Sequence, residues 1–594
     1  MNFMKRLSKI LSLILAVIIT ASLFIVPVFS ADAQADTYAS LTEGTGCGTG
    51  TSSQKQQEND KMIVSCIKTA ENGLAYLEVD GKPFPYLGVE SRLDAYMNCE
   101  KKSVEDFEPH IRAASELGAN VIAVPIDWRD LEPEQDEYDF RIVSALLGYA
   151  NKYDIRIEFC WYSVNMCGDS NSYQIPEYIW NDEETYPKYD SDNKNSFWGY
   201  YGNQGYMRAT KALMDRETKV ITALMNFVYN WDENNGQKHP LIGVQVYNEP
   251  DGYPRWRVSQ QNISVDGSQI TESDAWQDVY ALIDNAGKAF KAAKYNVYTR
   301  TNLTVLTEVT EFAEKLYDLE GIDAVGNDPY VQSVGDIYNT LSDFNSNLKG
   351  NFNHIAENKG VYLNTPSLLI TSAFCGAGYI IYDLATPEYF IDNTNDPSTI
   401  DHGILNTDLS DKQHTDAVRK TLKALTAAGD ALIFADRSDF AVFNLESDFP
   451  DENYTRSVKT SRVKAKFSTE QGAVGFTIYY NGYVYAYASE NAVLSIRNAA
   501  CGKAEYGGYD ENVWNEAGNV TAGNGKYLLE GGRLCRIKVD KTGIPLISNV
   551  KRYIGELEND SICDIFRNVS SIKDFFDRLF NLVKTDFTKF IRLF

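Results

Sequence analysis

Histidine and positive charge are scarce in this chain of 594 residues. The five histidines (His110, His239, His354, His402 and His414) are dispersed and none belongs to an H-E-x-x-H pair. That excludes the helix-borne zinc site of a metalloprotease. Nine cysteines form no C-x-x-C and no Cys/His cluster, so no metal is expected. An odd number cannot all pair internally; Cys160 and Cys167 flank one predicted strand end and could bridge, and most of the others read as small apolar residues. A G-x-S-x-G elbow is absent, which removes the serine-hydrolase reading. No G-x-G-x-x-G follows the first predicted strand, which weakens dinucleotide binding, and no cofactor is expected. Lys and Arg number 56 against 82 Asp and Glu, a net charge of −26 that argues against nucleic acid or an acidic membrane face as partner. A neutral ligand meets no such penalty.

Long apolar runs are also missing, with one exception at the N-terminus. Lys5, Arg6 and Lys9 precede an apolar stretch over 10–29, which exits through Ser30, Ala31 and Ala33. A basic segment, an apolar segment and a small-residue exit predict a secretory signal peptide over 1–33, with an uncleaved anchor as the alternative. The protein is therefore expected to be secreted or extracellular, or associated with the cell envelope. Residues 34–61 are polar and rich in Gly, Ser, Thr and Gln, and read as a flexible linker.

From residue 62 strand and helix patterns alternate. Strands are expected at 84–91, 120–128, 155–163, 241–246, 296–305, 322–330, 367–374 and 431–435, with helices between them; one helix, 103–118, is closed by Gly118. About eight such alternations permit closure of a parallel sheet. Beyond 440, short runs of Tyr, Val and Ile alternate with polar residues and are punctuated by Asn-Gly and Gly-Gly turns, the texture of antiparallel β. In the tail, Ile562, Phe566, Val569, Phe576, Phe580, Val583 and Phe587 recur at helical spacing. The fold class is thus α/β: a (β/α)8 TIM barrel over 62–440, a smaller C-terminal antiparallel β domain resembling a sandwich over 441–545, and an amphipathic helical tail over 546–594. The tail either packs on its own domain or docks to a protein partner or the cell envelope; its mixed charge signs disfavour an anionic membrane.

The stretch L-I-G-V-Q-V-Y-N-E-P (241–250) ends an uncharged strand in Asn248-Glu249-Pro250. An ionisable group at the end of a buried strand costs desolvation unless it is paired or used. Together with V-I-A-V-P-I-D-W-R-D-L-E-P-E-Q-D-E-Y-D-F (121–140), Y-Q-I-P-E-Y-I-W-N-D (173–182) and D-A-V-G-N-D-P-Y (323–330), this stretch resembles the clan-A retaining glycoside hydrolases, in particular their β-galactosidase-like members. The likeness spans about residues 75–440. It implies Glu249 as general acid/base, Asn248 as a partner for a sugar hydroxyl, and a β-linked neutral carbohydrate, galactoside-like, as substrate. Trp128, Trp161, Asp328 and Tyr330 stand at predicted strand ends as substrate-binding candidates, with core packing or loop capping as the alternatives.

The resemblance also implies a second carboxylate closing strand seven. With that strand at 367–374, its nucleophile position is occupied by Ser372, and a hydroxyl without an adjacent base cannot serve. Three readings stay open. Asp328, Asp383 or Glu446 supplies the charge; the substrate assists its own cleavage; or the chain is a pseudoenzyme that binds glycans without cleaving them.

Overall fold

The computed structural model describes residues 61–164, 174–187, 207–251, 264–265, 268–269, 271–304, 309–392, 400–444, 455–497, 499–510, 513–523 and 526–542. The signal-like segment, the linker, Cys167, Glu446 and the helical tail lie outside these residues.

Eight strands close into an all-parallel barrel. In chain order they are β1 (Leu87–Glu90), β2 (Val121–Asp127), β3 (Arg156–Tyr162), β4 (Leu241–Val246), β5 (Tyr298–Thr304), β6 (Ala324–Asp328), β7 (His354–Lys359) and β8 (Gly378–Tyr382). Each is followed by a helix: α1 (Glu108–Leu117), α2 (Arg141–Tyr153), α3 (Lys211–Asn234), α4 (Glu272–Ala292), α5 (Glu311–Tyr317), α6 (Val334–Asn347), α7 (Thr365–Phe374) and α8 (Thr415–Ala428). Local chemistry fixes several ends. Gly118 closes α1 at φ +92°, Thr210 accepts the Leu213 amide to cap α3, and Thr271 with Asp274 forms a capping box on α4.

Inside the barrel, Glu158 of β3 and Arg300 of β5 form a fully buried ion pair at 2.6 Å, and the Tyr298 hydroxyl donates to the same carboxylate. Gly243, on β4 between them, leaves the room this arrangement needs: a Cβ there would stand 2.4 Å from the Tyr298 ring. A three-stranded antiparallel sheet (Ser65–Thr69, Ala75–Val79, Lys82–Phe84) adjoins the N-terminal ends of β4 and β5. There Ser65 Oγ donates to Ile242 O and accepts from Tyr298 N.

The β domain pairs a six-stranded antiparallel sheet with a five-stranded one. Phe443 of the first meets Phe467 of the second at 4.3 Å between ring centroids, within a shared apolar core. The expected Asn-Gly hairpin joins Val474–Tyr480 to Tyr483–Ala488, with φ +47° at Asn481 and +81° at Gly482.

Two expected strands are helices. Residues 367–374 lie in α7 and residues 431–434 in the helix Asp430–Phe434, while the actual seventh and eighth strands are β7 and β8. The apolar run of α7 reads like a strand because nearly every residue of it is buried: the helix is covered by α6, α8 and the strands Phe440–Asn444 and Val474–Tyr480. Burial on all sides erases helical periodicity. Ser372 therefore sits inside a helix and holds no nucleophile position. Cys160 is a buried free thiol on β3.

Candidate active site

The C-terminal ends of the strands gather the candidate residues. Past Val246 the chain takes left-handed backbone at Tyr247 (φ +61°) and again at Glu249 (φ +43°), conformations that cost non-glycine residues energy and persist where the surroundings impose them. The surroundings are specific. Tyr247 Oη donates to both carboxylate oxygens of Glu217 on α3 at 2.8 Å. Asn302 of β5 accepts the Glu249 amide at 3.1 Å, and its own NH2 group donates to Asn248 Oδ1 at 2.8 Å and Asp328 Oδ2 at 2.6 Å. Gln245 Nε2 adds a second donor to Asn248 Oδ1 at 2.9 Å. With that oxygen occupied, the amide hydrogens of Asn248 are what it can offer a ligand.

β7 carries the second carboxylate. Glu357 is 3% exposed, and the Tyr330 hydroxyl donates a short hydrogen bond to its Oε2. Tyr330 is fixed by left-handed backbone (φ +47°) and by the Tyr362 hydroxyl, which donates to its carbonyl at 3.1 Å. Asn302 thus ties the Glu249 amide at the end of β4 to Asp328 at the end of β6, and Tyr330, two residues on, reaches Glu357 on β7. The Tyr330 hydroxyl is pushed up by burial and then by Glu357, Glu249 and Asp328, so the three acids gather in one region. The seventh strand does carry an acid, Glu357, where the sequence reading, placing that strand at 367–374, found only Ser372.

Burial raises the Glu357 carboxyl above its ordinary range, opposed by the Tyr330 hydrogen bond and by Arg92 and Arg300. Burial, then repulsion from Glu357, pushes Glu90 at the end of β1 well above the carboxylate range; Asp328 is raised by burial and by Glu357 and Glu249. Among the described residues Glu90 accepts no hydrogen bond on either oxygen whereas Glu357 accepts one, so the ionised form is better supported at Glu357 than at Glu90. The arginines nearby are already engaged: Arg92 grips Asp94 through Nε at 2.9 Å and Nη2 at 2.6 Å, and Arg300 grips Glu158. Among the described residues no group of three or more His, Cys, Asp or Glu is arranged to hold a metal ion.

A family model described as a domain of unknown function (DUF4978) matches residues 279–450. That span holds Asp328, Tyr330 and Glu357 and leaves out Glu249. Comparison with curated proteins finds no match. Among solved structures the chain is similar to an exo-β-1,4-mannosidase from Opitutaceae bacterium strain TAV5, at 13% identity over 60% of this chain and 62% of that chain (TM-score 0.42). It is also similar to a family 30 endoxylanase from Clostridium papyrosolvens, at 12% identity over 77% and 97% (TM-score 0.38). A third is a β-galactosidase from the psychrophilic Marinomonas ef1, at 10% identity over 59% and 61% (TM-score 0.40). The chain thus spans less than two thirds of the mannosidase and of the galactosidase. The barrel stands on its own strand pairing rather than on these likenesses.

The two tryptophans proposed as stacking surfaces are core residues instead. Trp128 and Trp161 are fully buried, with indole N–H groups donating to Glu132 at 3.0 Å and Glu217 at 2.9 Å. Asp383, offered as a substitute charge, follows β8 and accepts from the Thr386 hydroxyl at 3.0 Å. Glu357 was missed because H-I-A-E-N-K (354–359) mixes polar and apolar residues, although a period-two reading of its Ile355, Glu357 and Lys359 would have placed an acid on a strand; Glu90 and Asn302 lay within the expected strands 84–91 and 296–305 and were not singled out.

Proposed function

We propose that the barrel is a retaining glycoside hydrolase for a β-linked neutral carbohydrate, galactoside-like, working as a secreted protein. The observation that carries this reading is the convergence of Glu249 and Glu357, from the ends of β4 and β7, around the Tyr330 hydroxyl. A glycosidic oxygen is a poor leaving group, so one acid must protonate it while a carboxylate attacks the anomeric carbon. Glu249 takes the first role. Ionised Glu357, steadied by Tyr330, takes the second, forming a glycosyl–enzyme ester. Glu249 then removes a proton from water, which releases the sugar with its configuration retained. Asn248, held by Gln245 and Asn302, turns its amide hydrogens toward a sugar hydroxyl.

The non-hydrolytic reading rested on a missing nucleophile, and the presence of Glu357 on β7 favours the hydrolase over it. Docking through the tail concerns residues outside those described.

A panel of aryl β-glycosides tests the proposal. Wild type is expected to hydrolyse at least one with retention, seen by NMR in the first anomer formed. Glu249→Ala and Glu357→Ala are each expected to lose about a thousandfold or more in kcat. Azide should rescue both, giving the β-glycosyl azide with the first variant and the α-glycosyl azide with the second. No turnover by wild type on any member, or unimpaired turnover by Glu357→Ala, would refute it.

A further inference from the structure

Glu90, at the end of β1, is 0% exposed and neither of its carboxyl oxygens has a hydrogen-bond partner among the described residues. The Tyr162 hydroxyl, at the end of β3, is buried and unpartnered in the same way. The two belong to one place: the Arg92 guanidinium stands 3.9 Å from Glu90 Oε1 and 6.0 Å from the centre of the Tyr162 ring, and the Tyr162 hydroxyl lies in the fields of Glu90 and Glu357. Arg92 does not satisfy Glu90. Its Nε stands 3.9 Å from Glu90 Oε1 but 2.9 Å from Asp94 Oδ1, and its Nη1 donates to the Tyr382 hydroxyl at 3.3 Å. Burying a carboxyl and a phenol without partners costs free energy that leucine and phenylalanine would avoid. Unmet acceptors beside the nucleophile mark a place for groups that donate.

We propose that Glu90 and Tyr162 form a recognition site for adjacent hydroxyl groups of a neutral pyranose ring, on the glycon side of the bond to be cleaved. The assignment to the glycon rests on Glu357 being the nucleophile, because the ring it attacks is the one beside Glu90. Two carboxyl oxygens can accept from two neighbouring hydroxyls, or accept from one and donate to the other while the acid carries its proton. The Tyr162 hydroxyl adds one donor and one acceptor. Asp328 Oδ1, likewise unpartnered among the described residues, belongs to the acid already tied to Asn302 and extends the same lining.

The test is binding rather than turnover. Methyl β-D-pyranosides of galactose, glucose and mannose, and their monodeoxy derivatives, are titrated into wild type, Glu90→Gln and Tyr162→Phe. Wild type is expected to bind at least one parent glycoside and to lose about 10- to 100-fold in affinity when one particular hydroxyl is removed. Glu90→Gln should weaken the parent by a similar factor yet weaken that one deoxy derivative less than about threefold, since the lost partners are the same pair. Tyr162→Phe, which removes a single oxygen, should show the same selective tolerance at the same or the adjacent hydroxyl. Equal losses on every derivative, or no binding of any parent glycoside by wild type, would overturn the site. Hydrolysis enters none of these measurements, so a chain that binds with this selectivity but cleaves nothing refutes the hydrolase and leaves the recognition site intact.

Discussion

Replacing Tyr330 by phenylalanine removes one oxygen from the site and leaves a ring that fits the same space. In the native protein that oxygen donates to Glu357 Oε2, and it stabilises the ionised carboxylate more than the neutral acid. A hydrogen bond to a charged group in a buried setting is worth about 1.5–3 kcal/mol. One pH unit corresponds to 1.36 kcal/mol, so losing the bond raises the Glu357 pKa by about 1–2 units. The sign follows from the role. A nucleophile must be deprotonated, so activity falls on the acid side as Glu357 takes up a proton, and a higher pKa moves that fall to higher pH. The assay is kcat/KM for an aryl β-glycoside across about pH 4 to 9, which reports the free enzyme. The acid limb of Tyr330→Phe should move upward by about 1–2 units, with the alkaline limb displaced less. A plateau lowered tenfold or more with the acid limb unmoved would refute the reasoning, since the phenol would then act on the substrate and not on Glu357.

Glu217→Ala strips the acceptor from three buried donors, Trp161 Nε1, Ser163 Oγ and Tyr247 Oη; at about 1–3 kcal/mol for each stranded group, a loss of about 3–9 kcal/mol is expected by urea denaturation, and a loss under about 1 kcal/mol would contradict it. Arg300→Met leaves Glu158 buried without its partner and should cost about 3–5 kcal/mol, with much of that recovered in the double variant carrying Glu158→Leu. Burial pushes Asp383 from its ordinary 3.8 up to about 7. Its folded pKa lies above its unfolded one, so its stabilising contribution is complete below about pH 3.8 and is lost as pH rises through 7, by up to about 4 kcal/mol. Asp383→Asn should gain on wild type by that amount between about pH 4 and 8 in denaturation midpoints, and a pH-independent difference would rule the account out.

The barrel was legible where its strands are uniformly apolar and its helices one-sided. Leu241–Val246 and Val121–Asp127 are buried along their whole length and read as strands because nothing in them competes. The antiparallel domain was legible from its turns, since Asn481 and Gly482 take the positive φ that such a hairpin demands. Asn248-Glu249 stood out because a strand with no charge ended abruptly in one. The failures have one physical origin. In α7 a covering β domain buries the outer face as well as the inner, so the run from Leu368 to Ala373 loses the alternation that separates helix from strand. In β7 the reverse occurs: His354, Glu357 and Asn358 are buried in a strand, and their polarity disguised it as loop.

That disguise is the chemistry. A barrel strand that presents no polar group along most of its length can be filled with valine, isoleucine and alanine, as β2 is from Val121 to Ile126. A strand that must present a carboxylate at its end has to carry polar residues into the interior, together with the groups that hold them. Glu90 on β1, Asn302 on β5, Asp328 on β6 and Glu357 on β7 are such buried polar residues. The departures cluster at one end of the barrel, as expected when local rules are violated for function. Their sum also constrains the ligand. Glu249 and Glu357 face a region where Glu90 and Asp328 add further acid, while Arg92 and Arg300 are bound to Asp94 and Glu158. A ring of hydroxyl groups meets the carboxyl oxygens of Glu90 and the phenol oxygen of Tyr162, which have no other partner among the described residues.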